Sequence, residues 1–161
     1  LALGPRAIGD KRDLISYDLI AVDRKGEHMD FSVFLVNIWA VLVSGVAYFA
    51  IGAFWYGAFS KPWMAGIGKT AEELQSQASD YIVSLICEIG IAFAVAIGLN
   101  AFGAASILDA IFVATLLWFG FSLLPTIVHY AYEDKTFSLL AINKGYDLVG
   151  MIVASIILAV W

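Results

Sequence analysis

Three ionisable residues, Glu88, Lys144 and Asp147, lie inside long apolar stretches of the sequence. A charge in such a stretch is costly, so it usually faces protein or water and marks a candidate for ion pairing, proton relay or ligand binding. Three further polar or aromatic residues accompany them on the same stretches: Asn143, Tyr146 and His129. We call these six residues the polar cluster, because the sequence predicts that they meet inside the folded chain.

The depths of two of these charges favour a specific pair. Glu88 and Lys144 each lie seven residues into their apolar stretches from the same face, which is about 10 Å at 1.5 Å per residue. Their signs are opposite, so the sequence predicts a Glu88–Lys144 ion pair, and Asp147, three residues beyond Lys144, can share the same cation. Two interpretations stay open: the pair holds helices in register, or it serves transport, proton relay or ligand binding.

Patterns of enzymatic chemistry are not found in the sequence. There is no nucleophile elbow, no HExxH and no dinucleotide fingerprint, and GIGKT at residues 66–70 lacks the spacing and preceding strand of a phosphate loop. No liganding cysteine pair and no neighbouring histidine accompany His129, so no metal site is predicted. We therefore expect no catalytic residues, no metal, no cofactor and no enzymatic activity.

The composition indicates which solvent surrounds these residues. Hydrophobic residues make up 61% of the 161-residue chain, against about 45–50% in soluble domains, and charged residues 14%, against about 25%. The mean hydropathy is +0.86. The net charge is −5 and no basic run exists, which excludes nucleic acid as a partner. A membrane protein with the lipid bilayer as its surroundings is predicted.

Two regions differ in composition. Residues 1–28 are polar, with five cations and five anions, whereas the chain from Met29 onward is apolar and carries the whole net charge. Met29 has the features of a natural start, so we interpret 1–28 as a polar tail that is non-native or an upstream extension. The membrane domain is expected over 29–161.

Four stretches from Met29 onward are long enough to cross a bilayer, which takes about 20 apolar residues. The predicted spans are about 33–57, 81–102, 107–131 and 137–161. Backbone groups must be paired within the membrane, so the fold class is all-α, an integral membrane bundle of four transmembrane helices. In loop one, about 58–80, Thr70 and Glu73 have the spacing of a capping box, which predicts a short interfacial helix from Ala71 to about Ala78.

Small residues and one proline give the packing expectations. Gly90, Ala94 and Gly98 recur every four residues on span two, a stripe that allows close approach of another helix, within the chain or between copies. Glu88 is about 200° away from Gly90 around the helix, on the other side. Pro125 should kink span three, with Ser122 re-satisfying the freed carbonyl. Aromatic residues near loop one and loop three (132–136), among them Trp55, Tyr56 and Trp63, predict an interfacial belt.

Three segments, IGAFWYGAFSKPWMAGIG, the EDK hairpin and LLAINKGYDLVGMIVASIILAVW, carry a family resemblance. Over about 29–161 the chain resembles the domain of unknown function 1761 family, small bacterial four-span membrane proteins. The WY…KPWM and INKGY segments are the most specific parts. The resemblance implies a four-helix, multi-pass membrane protein of the bacterial inner (plasma) membrane, and it brings no established activity or catalytic residue.

Two functions remain in competition. The first is a small transport or ligand-binding module, suggested by the polar cluster. The second is a non-catalytic accessory or scaffold subunit of a larger membrane assembly, suggested by the small-residue stripe. Both lead us to expect a homo-oligomer or other membrane subunits as partners, because four spans enclose little volume.

Overall fold

The structure, a computed structural model, describes residues 31–161, so the predicted tail at 1–28 lies outside the described residues. A 3-10 turn, Phe31–Phe34, comes first. Six α-helices follow: α1 (Ile38–Ala58), α2 (Ser60–Ile67), α3 (Ala78–Ala101), α4 (Ile107–Trp118), α5 (Leu124–Tyr132) and α6 (Phe137–Val160). A π-helical turn, Phe119–Leu123, joins α4 to α5. No strand occurs in this part of the chain.

Four helical segments are long and apolar enough to span a membrane, which confirms the predicted fold class. They are α1, α3, the continuous segment Ile107–Tyr132 and α6. Side-chain caps determine where three of them begin: Asn37 accepts from the Trp39 and Ala40 amides at 3.0 and 3.3 Å, and Ser106 and Thr136 cap the third and fourth spans. The first span therefore starts at Ile38, later than the predicted residue 33.

The short helix of loop one exists, but its predicted position at Ala71–Ala78 is wrong. It is α2, Ser60–Ile67, and it ends because Gly68 adopts a left-handed conformation with φ 68°. Glu73 does accept a hydrogen bond from the Thr70 amide at 2.9 Å. That bond closes a turn without starting a helix, since the chain is irregular from there to the start of α3.

Helix α6 is the centre of the bundle, because it packs against α1, α3 and span three. Its closest contact is at Gly150, where a Cβ atom would lie 1.9 Å from a ring carbon of Tyr48. The second close contact joins α1 and α3 at Gly45, where a Cβ atom would lie 2.7 Å from the Ile89 Cα. Glycines thus determine where the backbones of these spans approach each other.

The π turn lies just before the proline that was predicted to kink span three. The Leu124 amide bonds to the Phe119 carbonyl, five residues back, and Pro125 follows directly. The Thr126 hydroxyl donates to the Ser122 carbonyl at 2.7 Å. The expectation that the Ser122 hydroxyl satisfies a freed carbonyl is wrong, because that hydroxyl contacts ionised side chains of α6 instead.

Candidate functional site

Glu88 lies near the middle of its span and is buried. It is ten residues after Ala78, the first residue of α3, which is about 15 Å along the helix and near the centre of a bilayer core about 30 Å thick. The residue is 8% exposed. Its Oε1 accepts a hydrogen bond from the Tyr146 hydroxyl, and its Oε2 has no partner among the described residues. Half of this carboxyl group is therefore unsatisfied in the interior of the bundle.

The predicted Glu88–Lys144 ion pair is wrong. The Lys144 ammonium instead lies 2.7 Å from Asp147 Oδ2 and donates to the Ser122 hydroxyl at 3.1 Å. That hydroxyl donates to the same Asp147 oxygen at 2.8 Å. Lys144, Asp147 and Ser122 therefore form a charge-neutral triad between α6 and span three.

Helix geometry explains why the charges pair this way. Lys144 and Tyr146 are two residues apart on α6, which separates them by about 200° around its axis. Only one of them can contact Glu88 on α3, and the structure places Tyr146 there, nine residues after the start of α6 and at the depth of Glu88. Helix α3 also begins at Ala78 instead of residue 81, so Glu88 lies deeper than Lys144. The depth match inferred from the sequence is therefore not present.

Tyr146 joins Glu88 to an aromatic group on α1. Its ring contacts Tyr48 with centroids 5.2 Å apart and Tyr56 with centroids 5.3 Å apart. Gly52 leaves the space that this needs, since a Cβ there would lie 3.1 Å from the Tyr146 hydroxyl oxygen. The aromatic packing holds the hydroxyl against Glu88.

Asn143 is the centre of a second hydrogen-bond group, closer to loop one. Its Oδ1 accepts from the Tyr56 hydroxyl and from Trp63 Nε1, both at 3.1 Å, and its Nδ2 donates to the Tyr130 hydroxyl at 2.9 Å. Trp55 Nε1 donates to the Ile142 carbonyl at 2.9 Å. Asn143 thus connects α1, α2, span three and α6.

The sequence analysis did not predict that these aromatic residues form hydrogen bonds with α6 beside the polar cluster. Trp55, Tyr56 and Trp63 were interpreted as an interfacial belt, yet their polar atoms point to α6. The sequence did contain one signal, because Tyr56 and Trp63 lie a few residues either side of a helix break and so can converge on one partner. His129 was expected in the cluster, but it is exposed on α5 and no contact joins it to Asn143 or Glu88 among the described residues.

We expect Asn143→Leu to loosen loop one, because three hydrogen-bonding groups, from Tyr56, Trp63 and Tyr130, lose their common partner. The expected cost is about 2 kcal/mol of unfolding free energy, the range for partly buried polar groups left unsatisfied. Limited proteolysis in detergent should cut loop one faster. Asn100→Leu removes hydrogen bonds to the Val33 and Leu35 carbonyls at the other end of the bundle and is the control. Equal proteolysis of both variants would contradict the role of Asn143.

The small-residue stripe does not pack as a unit within the chain. Gly98 contacts span three, where a Cβ would lie 2.8 Å from Leu117 Cδ1. Gly90 and Ala94 are exposed, and a Cβ on Gly90 would meet nothing within 4 Å. Glu88 is buried whereas Gly90, two residues later, is exposed, so these two residues lie on different sides of α3. However, the Glu88 side of α3 is the side packed inside the bundle, and a contact of the stripe with another copy stays a prediction.

Two cavities beside the central helix lie next to the acids of the polar cluster. The first, which we call the Glu88 cavity, has a volume of about 540 Å³ and extends from Leu74 and Ser76 in loop one to Glu88 and Tyr146. The second has a volume of about 430 Å³ and lies beside the Lys144–Asp147 pair, between α3, α6 and the π turn. In the part of the chain that the structure describes, no three His, Cys, Asp or Glu side chains come together as a metal ligand set.

Comparisons with known proteins give a family and no activity. No curated protein and no solved structure matches the chain. One family model, described as a protein of unknown function (DUF1761), matches residues 39–159, which covers all four spans except the first residue of α1 and the last of α6. With four membrane-spanning helices and a family match over most of its length, the chain is a multi-pass membrane protein that belongs to the DUF1761 family.

Proposed function

We propose that this protein is a small-solute binding or transport module of the membrane, without enzymatic activity, and that the Glu88 cavity is its binding centre. The observation that carries the proposal is the half-satisfied carboxyl group of Glu88 in the wall of a cavity that reaches loop one. We place the protein in the plasma membrane of a bacterium, as its family resemblance implies.

The two acids inside the spans, Glu88 and Asp147, differ in their counter-charges. Asp147 is neutralised by Lys144 at 2.7 Å, so it needs nothing from outside the chain. Glu88 contacts a neutral hydroxyl, and within residues 31–161 no cationic side chain forms an ion pair with it. A buried carboxylate without a counter-charge is costly. A proton or a bound solute lowers that cost, which supports a binding role for this position.

The size of the cavity suits a small molecule. Ligand sites in proteins have volumes of roughly 300–1,000 Å³, and the Glu88 cavity lies in this range. It extends to the membrane face that bears loop one, so a solute can reach it from that side without crossing the bundle. Complete passage across the membrane needs a second opening, which a second copy of the chain would supply; we therefore propose that transport, as distinct from binding, occurs in an oligomer.

Thermal unfolding with solute probes tests the proposal. We expect one of three probe classes, small cations, small anions or neutral molecules, to raise the melting temperature of the purified full chain in detergent. Glu88→Gln should abolish that shift, because it removes the charge and keeps the size of the side chain. Glu133→Gln is the matched control, since Glu133 is an exposed acid in loop three that pairs with Lys135.

Two results would contradict the proposal that the protein is a binding or transport module. One is a panel in which no class stabilises the wild-type chain. The other is a stabilising probe that acts equally on Glu88→Gln and on the wild type.

A second candidate function is a non-catalytic subunit of a larger assembly. The observation that favours it is the exposed position of Gly90 and Ala94 on α3, where a further helix could approach closely. Mild solubilisation followed by native mass measurement is the test. A mass of several copies that falls to one copy in Gly90→Leu would support a self-assembling subunit, and a monomer in the wild type would contradict it.

A further inference from the structure

We infer that the Glu88 cavity binds a small organic monocation, held by the Glu88 carboxylate at its inner end and by aromatic rings along its walls. This inference deepens the proposed function and rests on it, because it names the class of solute that the same cavity takes.

The charge of the cavity favours a single positive charge. Of the thirteen residues that line it, Glu88 alone is ionisable to a full charge at neutral pH, so the lining carries at most one negative charge. The Oε2 atom of this residue has no partner among the described residues. An anion would place two negative charges together in a low-dielectric interior, and a neutral solute would leave the carboxylate without a counter-charge.

The walls favour a cation with an apolar body. Five aromatic residues line the cavity: Phe49, Tyr56, Trp63, Tyr81 and Tyr146. Aromatic rings attract ammonium groups through their negative faces, and several rings around one space are a known way to bind quaternary ammonium ions. A bare inorganic cation fits less well, because it needs about six oxygen ligands, and this lining offers one carboxylate and scattered hydroxyl groups.

Helix periodicity explains how the sequence builds these walls. On α3, Tyr81, Ser84 and Glu88 are spaced i, i+3 and i+7, so they share one face and lead from the membrane surface to the middle of the span. On α1, Phe49 and Tyr56 have the spacing i and i+7 and face the same cavity. The lining of the cavity therefore follows the facing sides of α1 and α3 inward from loop one, with Glu88 and Tyr146 farthest from that loop.

The test uses benzyltrimethylammonium as the probe, because it combines a fixed positive charge with an aromatic body. Radiolabelled probe is equilibrated with the purified full chain in nanodiscs, and bound probe is counted. We expect saturable binding that is not displaced by neopentylbenzene, in which a neutral carbon replaces the nitrogen, or by the anion phenylacetate. Sodium chloride and potassium chloride at equal ionic strength should reduce the amount of bound probe slightly and to the same extent.

Four variants assign the site. Glu88→Gln should weaken binding by about 30-fold, the loss expected when one partner of a desolvated charge pair is removed. Tyr81→Leu should weaken it by about 3-fold, as for one exposed cation–π contact. Glu88→Asp keeps the charge and should bind more tightly than Glu88→Gln. Ser84→Leu fills the cavity one turn above Glu88 without changing its charge, and should weaken binding even if Glu88→Gln fails to fold.

The outcomes separate this inference from the proposed function. Saturable cation binding that depends on Glu88 and on the size of residue 84 would support it. If the neutral or anionic analogue displaces the probe equally well, or if one of them binds through Glu88 while the cation does not, the organic-cation assignment is overturned and the binding module stands. If none of the three compounds binds, both fail. Binding that is unchanged in Ser84→Leu and Glu88→Gln would also contradict the assignment of the Glu88 cavity as the binding site.

Discussion

Gly150→Ala is expected to lower the unfolding free energy by about 2–3 kcal/mol, the upper range for a methyl group forced into a packed interior. The new Cβ would lie 1.9 Å from a ring carbon of Tyr48. That ring cannot move aside easily, because Tyr48 is 1% exposed and its hydroxyl donates to the Asp147 carbonyl at 3.1 Å. Tyrosine and tryptophan fluorescence during denaturation of detergent-solubilised protein would measure the change.

Gly90→Ala is the matched control for this prediction. Gly90 is also in a helix, but nothing lies within 4 Å of its hypothetical Cβ. Alanine forms helices better than glycine by about 0.5–1 kcal/mol, so the control should be neutral or slightly stabilising. If Gly150→Ala is as stable as Gly90→Ala, the contact between α1 and α6 at Tyr48 is not as described.

Asp147→Asn is expected to destabilise the protein by about 3 kcal/mol, because it leaves the Lys144 ammonium inside the membrane without its counter-charge. The neutral asparagine still contacts Ser122 and Lys144, so the loss reports the missing charge more than missing volume. The same denaturation experiment measures it. This prediction follows from the 2.7 Å separation of the pair within one helix.

The double variant Lys144→Met, Asp147→Asn separates charge from packing. Removing both charges together is expected to restore most of the stability lost in the single variant, since ion pairs replaced as a unit cost little. An additive loss in the double variant would contradict the pairing and would show that each side chain acts alone. The pair makes no hydrogen bond to Glu88, which contacts a different side of α6 through Tyr146.

The sequence was sufficient to predict where the four spans lie. It was insufficient to predict how each span is rotated about its own axis relative to its neighbours. The bilayer imposes length and apolar composition, so four helices follow from the sequence to within a few residues, and caps at Asn37 and Gln77 move the starts of the first two. Which residue meets Glu88 depends on how α6 is rotated relative to α3. The position of Tyr146 against the Tyr48 and Tyr56 rings decides that rotation, and no pattern along a single span contains it.

The partners of the aromatic residues and of the stripe could not be predicted from the sequence, for the same reason. Tyr56 and Trp63 belong to the types that favour a membrane interface, but a polar partner on a neighbouring helix, Asn143, draws them inward. The small residues Gly90 and Ala94 satisfy the pattern of a packed face, yet in this chain the closest approaches occur at Gly45 and Gly150 instead. In both cases, the way in which neighbouring helices pack together determines which residues are in contact.

The π turn at Phe119–Leu123 has a consequence for length variation among related chains. Such a turn accommodates one more residue than an α-helix of the same rise, so it shifts the angular position of every later residue in the span by about 100°. Tyr130 reaches Asn143 across the bundle only with that shift in place. A homologue with one residue fewer at this point can form an uninterrupted α-helix, and its Tyr130 equivalent then keeps its position against the equivalent of Asn143.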